Sequence, residues 1–309
     1  MAATDPRSRN AVTTWVIGPG RVGRCLAWGH RQQGEAVVLF GRQAGPWQTW
    51  AAEQNLTTAL LEQRKQDLAE RPPQRLLFCP GDDVLAESIQ DWASAMAGVL
   101  PGFAVHTSGI HGLTLLQPLA DLGWRTAVLH PLLPFTEAET SWQALSSAVV
   151  TVEATEQAKS EVEVLGRLWG CLLHWLPADF DRRPYHLALS LAANHLTALL
   201  AWSEELLQPL LGDQARPALT SLAGHAVQAF EERGPAQSLT GPVVRGDAEV
   251  VAAHLAALPP EQAGRYRQLL EPLLDLAERS GRLSREGSQA LRLLLNPSAL
   301  DEESPDSKA

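Results

Sequence analysis

Only three cysteines occur in 309 residues, and Cys25, Cys79 and Cys171 lie far apart, in or beside apolar runs. That spacing excludes a cysteine metal-ligand cluster and a disulfide framework and fits a reducing compartment, so no bound metal and a cytoplasmic location are expected. Blocks of lysine or arginine are missing too, and the formal net charge is -10. An acidic chain without a basic patch is not steered toward nucleic acid. No stretch of about 18 uncharged apolar residues occurs, which excludes a helical membrane span. Met1 to Asn10 is polar and lacks an apolar segment, so no secretory signal is expected there. Tyrosine is scarce, with two copies against ten tryptophans. Trp28, Trp47, Trp50, Trp92, Trp124, Trp142, Trp169, Trp175 and Trp202 fall mostly in amphipathic segments and are expected to anchor cores or interfaces.

What is present is enough apolar material, 45% of the chain, to fill two cores. Continuous apolar runs predict strands at Val12–Ile17, Ala36–Phe40, Leu76–Cys79, Phe103–Thr107, Thr126–His130, Ala148–Val152 and Leu172–Trp175. Between them, helical spacing is read at Trp47–Ala69, from a cap at Asp82 or Asp83 through Met96, and at Gln157–Trp169. This alternation predicts an α/β domain with a doubly wound, mostly parallel Rossmann-like sheet over residues 10–177. After Pro184 only helical periodicity appears, so an all-helical C-terminal domain is expected over 178–297, joined near 177–183. The acidic segment 298–309 reads as a disordered tail.

At the end of the first predicted strand stands Gly18-Pro19-Gly20-Arg21-Val22-Gly23, leading directly into a helix. Each glycine has a physical part in a dinucleotide-binding loop. Gly18 permits the tight turn, Gly20 lets a pyrophosphate approach the backbone, and Gly23 lets the helix lie against the sheet. The unpaired amides of the helix's first turn then face the anion. The second strand ends in Gly41-Arg42, where an NAD-specific site would place a carboxylate on the ribose. Gly41 leaves room and Arg42 offers a planar fork to a 2′-phosphate, which favours NADP; the alternative is a solvated Arg42. Pro80, ending the strand from Leu76, borders the same carboxyl edge of the sheet.

Candidates for chemistry sit on that edge and on the first helix of the second domain. His106, Thr107 and Ser108 end one strand and His130 ends the next, and which histidine faces a ligand stays open. His186, Ser190 and Asn194 follow at i, i+4 and i+8, a polar line on an otherwise apolar helix that needs partners if buried. A bound substrate is one such partner, and a helix–helix polar contact is the other. Arg245, in Thr240-Gly241-Pro242-Val243-Val244-Arg245-Gly246-Asp247, can clamp a carboxylate or phosphate, or pair with Asp247, the expected cap of the next helix.

Taken together, the glycine loop, His106-Thr107-Ser108-Gly109, His130-Pro131-Leu132, Tyr185-His186 with Asn194, and Thr240-Gly241-Pro242 with Arg245-Gly246-Asp247 resemble a known family. It comprises Rossmann-like proteins with a C-terminal domain of unknown function 2520. They are related to the 6-phosphogluconate dehydrogenase-like superfamily, with its ketopantoate, pyrroline-5-carboxylate and deazaflavin-dependent NADP reductases. The resemblance implies an NADP-dependent oxidoreductase acting on a small, anionic carbonyl or imine compound, and a homodimer through the helical domain. It matches Asn194 to the substrate-holding asparagine of ketopantoate reductases. This chain departs from those enzymes in offering His186 where they have a lysine; a histidine titrates near neutrality and can also donate a proton. In this reading Ser108 and His130 border the nicotinamide. An NADP-binding sensor or scaffold that turns nothing over is the alternative, favoured by the lack of a lysine or tyrosine acid at recognisable spacing.

Overall fold

The computed structural model describes residues 12–295; the tail expected at 298–309 lies outside them. Val16, Leu39, Leu77 and Val105 point to one side of a central sheet, while Trp15, Ile17, Phe40 and Phe78 point to the other. Helices cover both faces, which is why these strands are apolar throughout and do not alternate.

In chain order the first part contains β1 (Thr13–Ile17), α1 (Arg21–Gln32), β2 (Ala36–Gly41), α2 (Pro46–Glu53), β3 (Thr57–Leu60) and α3 (Arg64–Glu70). It continues with β4 (Arg75–Phe78), α4 (Asp82–Ala95), β5 (Phe103–His106), α5 (Gln117–Ala120), β6 (Arg125–Pro131) and α6 (Ala138–Leu145). Then come β7 (Val149–Ala154), α7 (Lys159–Trp169), β8 (Leu172–Trp175) and α8 (Arg182–Ser190). The sheet order is β3-β2-β1-β4-β5-β6-β7-β8, and only β6 against β7 is antiparallel. Its first six strands follow the doubly wound Rossmann order, with the reversal between β1 and β4. Fully buried Trp92 on α4 and Trp169 on α7 anchor opposite faces.

Two expectations are corrected. The predicted helix Trp47–Ala69 is broken into α2, β3 and α3, because Asn55 takes a left-handed φ of 55° and Thr57-Thr58 pair with the edge of β2. Gly81, not an aspartate, caps α4; Asp82 and Asp83 lie inside its first turn, where their charge suits the helix dipole.

The described residues form two compact units that divide between Leu196 and Thr197. α8 stays with the sheet unit because Tyr185 and Arg182 hydrogen-bond to residues of β6 and β7. The second unit contains α9 (Leu196–Leu211) from Thr197 on, α10 (Ala215–Arg233), α11 (Pro235–Ser238), α12 (Pro242–Arg245), α13 (Ala248–Ala257), α14 (Pro260–Arg279) and α15 (Arg285–Leu295). Its core gathers Val243, Val251, Leu255, Leu270, Leu274 and Leu291. No described helix is long and apolar enough to cross a membrane.

Candidate functional site

Where the strand order reverses, the carboxyl ends of β1, β2 and β4 open a cleft of about 550 Å³. Gly18, Pro19, Gly20, Gly41, Arg42 and Pro80 line it. Gly18 has a φ of 100°, and a Cβ there would stand 2.6 Å from the Pro80 nitrogen. A Cβ on Gly23 would collide with the Gly18 carbonyl oxygen, so this glycine lies buried beneath the turn. Gly20 differs: a Cβ there would meet nothing within 4 Å.

α1 begins beside that open position. No side chain caps its amides and no acidic residue stands in its first turn. Uncapped amides at the positive end of a helix, reached over an unobstructed glycine, fit a pyrophosphate. Arg21 is exposed at the same turn, and Val22 packs partly into the core.

The space beside Gly41 is taken by the Trp47 indole, with which a Gly41 Cβ would collide. The room expected there for a ribose phosphate therefore belongs to an internal packing contact. Arg42 stays at the rim, its side chain 59% exposed and 3.7 Å from Glu87 across the cleft. At that separation no hydrogen bond locks the guanidinium. Cys79 also lines the cleft, and burial pushes its thiol up to about 12, so it is not a thiolate there at neutral pH.

At the ends of β5 and β6 the two histidines diverge. His106 is fully buried; its Nδ1 accepts from the Ser108 amide at 3.2 Å and its Nε2 donates to the Gly112 carbonyl at 3.1 Å. Burial, together with nearby Arg182 and His111, lowers it to about 4. Both ring nitrogens thus brace their own loop, so neither is left for a ligand in this arrangement. Ser108 is likewise buried, and its hydroxyl accepts from the His111 amide at 3.1 Å.

His130 is half-buried and belongs to a chain of polar groups. Its Nδ1 lies 2.6 Å from the Tyr185 hydroxyl, which lies 2.7 Å from the Thr151 hydroxyl. A Cβ on Gly109 would stand 2.8 Å from His130 Nε2 and from His186 Cδ2, so two imidazoles meet over a glycine, and a side chain there would push them apart. Beside them Arg182, on α8, donates to Glu153 at 2.7 Å and to the Gly109 carbonyl at 3.2 Å. Its charge is neutralised, and it fixes the loop on which the imidazoles close.

The polar line on α8 is only partly as expected. Asn194 Nδ2 reaches Ser190 Oγ at 3.4 Å, but a π-helical turn spans Leu191–His195 and Asn194 is exposed. The premise that burial forces a partner on Asn194 therefore fails, and the wide turn shifts its register from His186. Such turns occur frequently at functional sites. In the second unit Arg245 stands 3.9 Å from Asp247, and Asp247 caps α13 as expected. Tyr185, Thr151, Arg182 and Glu153 were not singled out from the sequence as site residues. Two polar residues in the otherwise apolar β7 run were the available signal.

Comparison with known proteins follows this geometry. Residues 148–272 match the family model described as Domain of unknown function (DUF2520). The match takes in Tyr185, His186, Asn194 and Arg245 and leaves the glycine loop outside. Among solved structures, a Bacteroides fragilis protein with the provisional name NADP oxidoreductase is similar, with TM-score 0.70 and 18% identity over 86% of this chain and 98% of its own. An imine reductase from Pseudomonas sp. has TM-score 0.54 and 16% identity, over 94% of this chain and 95% of its own. A Plasmodium falciparum pyrroline carboxylate reductase solved with NADP bound has TM-score 0.52 and 9% identity, over 91% and 99%. At such identities the likeness is one of fold. No curated protein matches the chain.

Proposed function

We propose that this protein is an NADP-dependent oxidoreductase that reduces a small carbonyl or imine compound. One observation carries the reading: at the strand-order reversal, α1 meets the cleft with uncapped amides and Gly20 leaves their approach open. The fold likeness to a reductase solved with NADP bound supports it. Gly18, Pro19 and Gly20 hold the pyrophosphate, Arg42 takes the 2′-phosphate and Pro80 flanks the same cleft. When bound, the nicotinamide supplies hydride. The chain's own groups orient the acceptor and handle the proton. A carbonyl needs a proton on oxygen as hydride arrives, and His186 is assigned to give it, with Asn194 as the orienting amide. An imine enters with its proton already on nitrogen.

Titration with NADPH and NADH, then NADPH oxidation across oxoacids, aldehydes and imines, tests the reading. Tighter uptake of NADPH and oxidation by one substrate class are expected. No uptake of either nucleotide overturns it, and uptake without oxidation moves the protein to the sensor or scaffold reading. His186→Ala with unchanged NADPH affinity separates the substrate arms: lost turnover assigns the acid and a carbonyl, and retained turnover removes the acid. We also infer a homodimer through the second unit, where Leu206, Leu210, Leu222, Val227 and Phe230 are exposed on α9 and α10.

A further inference from the structure

The protons along the His130 chain can be assigned one by one. Thr151 Oγ1 donates to the His130 carbonyl oxygen at 3.3 Å, and a hydroxyl has one proton to give. The arrangement that makes every one of these contacts a hydrogen bond has Thr151 accepting from Tyr185, 2.7 Å away. Tyr185 then has only lone pairs for His130, so the 2.6 Å contact is made by Nδ1–H donating to the phenol oxygen. A neutral imidazole carries one N–H, which leaves Nε2 as a bare lone pair. Among the described residues Nε2 has no hydrogen-bond partner, and it lies on the edge facing Gly109 and His186.

The ring also stays neutral. Burial, then the neighbouring His186 and Arg182, lower His130 to about 4 against the opposing pull of Asp82. With Tyr185 at its Nδ1, those three side chains are the titratable and charged groups that act on it. At neutral pH, Nε2 therefore accepts a hydrogen bond and has no proton to give.

We propose that His130 Nε2 receives an N–H of the substrate, so that the group reduced is a protonated imine. This rests on the oxidoreductase reading and chooses between its two substrate classes. A ketone oxygen would set lone pair against lone pair, whereas an iminium C=N–H donates directly to Nε2. Hydride from the reduced nicotinamide forms a bond to carbon while the C=N π pair moves onto nitrogen. The N–H bond survives, and the product is a neutral amine with no proton taken from the protein. Tyr185 and Thr151 are positioning residues in this scheme: they set which His130 nitrogen is bare.

The test labels histidine nitrogen in the full chain and reads the tautomer of His130 by NMR at neutral pH, with His130→Ala identifying its signals by their loss. A protonated Nδ1 and a bare Nε2 are expected. With NADP added, piperidine, an N–H donor at this pH, should shift the Nε2 signal, and tetrahydropyran, the ring ether of the same shape, should not. Thr151→Ser should keep the tautomer, while Thr151→Val and Tyr185→Phe should mix the two forms. Both should lower kcat/KM for a six-membered cyclic imine by the share of His130 that leaves the Nε2-bare form, about twofold where the two are equally populated. A protonated Nε2 in the wild type, an equal response to the ether, or faster reduction of cyclohexanone than of the imine would overturn the proposal. Lack of NADPH uptake would sink the oxidoreductase reading separately, because the tautomer is read without cofactor.

Discussion

Gly20 and Gly23 belong to one loop, yet an added methyl group should affect them in opposite ways. At Gly23 it meets the Gly18 carbonyl, and Gly18 is itself fixed by the hydrogen bond its amide donates to the Phe40 carbonyl oxygen at 3.0 Å and by the Cys79–Pro80 backbone. Nothing there can yield cheaply, so Gly23→Ala should cost roughly 3 kcal/mol of stability, measured by denaturant unfolding. At Gly20 the methyl enters open space. Gly20→Ala should leave stability within about 0.5 kcal/mol and weaken NADPH binding at least about tenfold, because the methyl stands where the phosphate approaches. An equal loss of stability in both variants would count against the cradle. Arg42→Gln should lower affinity for NADPH about tenfold and leave NADH unchanged, the smaller end of the range for a charged hydrogen bond because the side chain is 59% exposed. Equal effects on both nucleotides would remove Arg42 from the 2′-phosphate.

Between elements, the sheet is tied by a buried cluster at the edge opposite the cleft. Glu35, after α1, accepts from His30 at 2.7 Å, from Thr14 on β1 at 2.6 Å and from Arg75 on β4 at 2.7 Å. Trp169 of α7 donates to the other His30 nitrogen at 3.0 Å, which fixes that ring as neutral with Nδ1–H toward Glu35. Burial works against the Glu35 charge, but the His30 hydrogen bond, the Arg75 charge and the Thr14 hydrogen bond outweigh it and hold the carboxyl at about 2, below its ordinary 4.5. A depressed carboxyl contributes its full stability above the unfolded value and loses it as pH falls from about 4.5 toward 2, here on the order of 3 kcal/mol. His30, lowered by burial, adds loss in the same direction as the unfolded chain takes up its proton below 6.5. Glu35→Gln should flatten the acid limb of a stability–pH profile and cost about 3–5 kcal/mol at pH 7, since Arg75 is left buried without its countercharge. An unchanged acid limb would exclude Glu35 as its source. The same elements define what the sequence made legible. Runs such as Trp15-Val16-Ile17 are apolar because both faces are covered, so the central strands could be read directly. β3 has only one neighbour and two threonines, and its residues also suit a helical stripe, so local pattern could not separate the two. The glycine loop was legible because its glycines are contiguous with the strand–helix junction. The Thr151–Tyr185–His130 chain was not, since strand register and the placement of α8 bring those residues together, and neither is written in local spacing.

At the scale of the whole molecule, the proposed homodimer turns on a balance between apolar contact and like charge. Leu206, Leu210, Leu222, Val227 and Phe230 are each at least half exposed on α9 and α10. A two-fold axis would let the same patch cover itself, and about 800 Å² per copy is the usual size of a stable interface of this kind. Each copy also brings a formal charge of -10. Long-range repulsion between two such copies is screened by salt, whose Debye length falls from about 30 Å at 0.01 M to about 8 Å at 0.15 M, while apolar burial is not weakened by it. Sedimentation should therefore find a dimer whose dissociation constant falls as salt rises over that range. An interface held mainly by ion pairs would respond in the opposite sense, and that outcome would move it off the apolar faces of α9 and α10. Leu210→Glu with Phe230→Glu places charge in the patch at positions already facing water in the single chain, so folding should persist while the dimer is lost. If this variant sediments as a dimer with the wild-type constant, the contact lies elsewhere on the molecule.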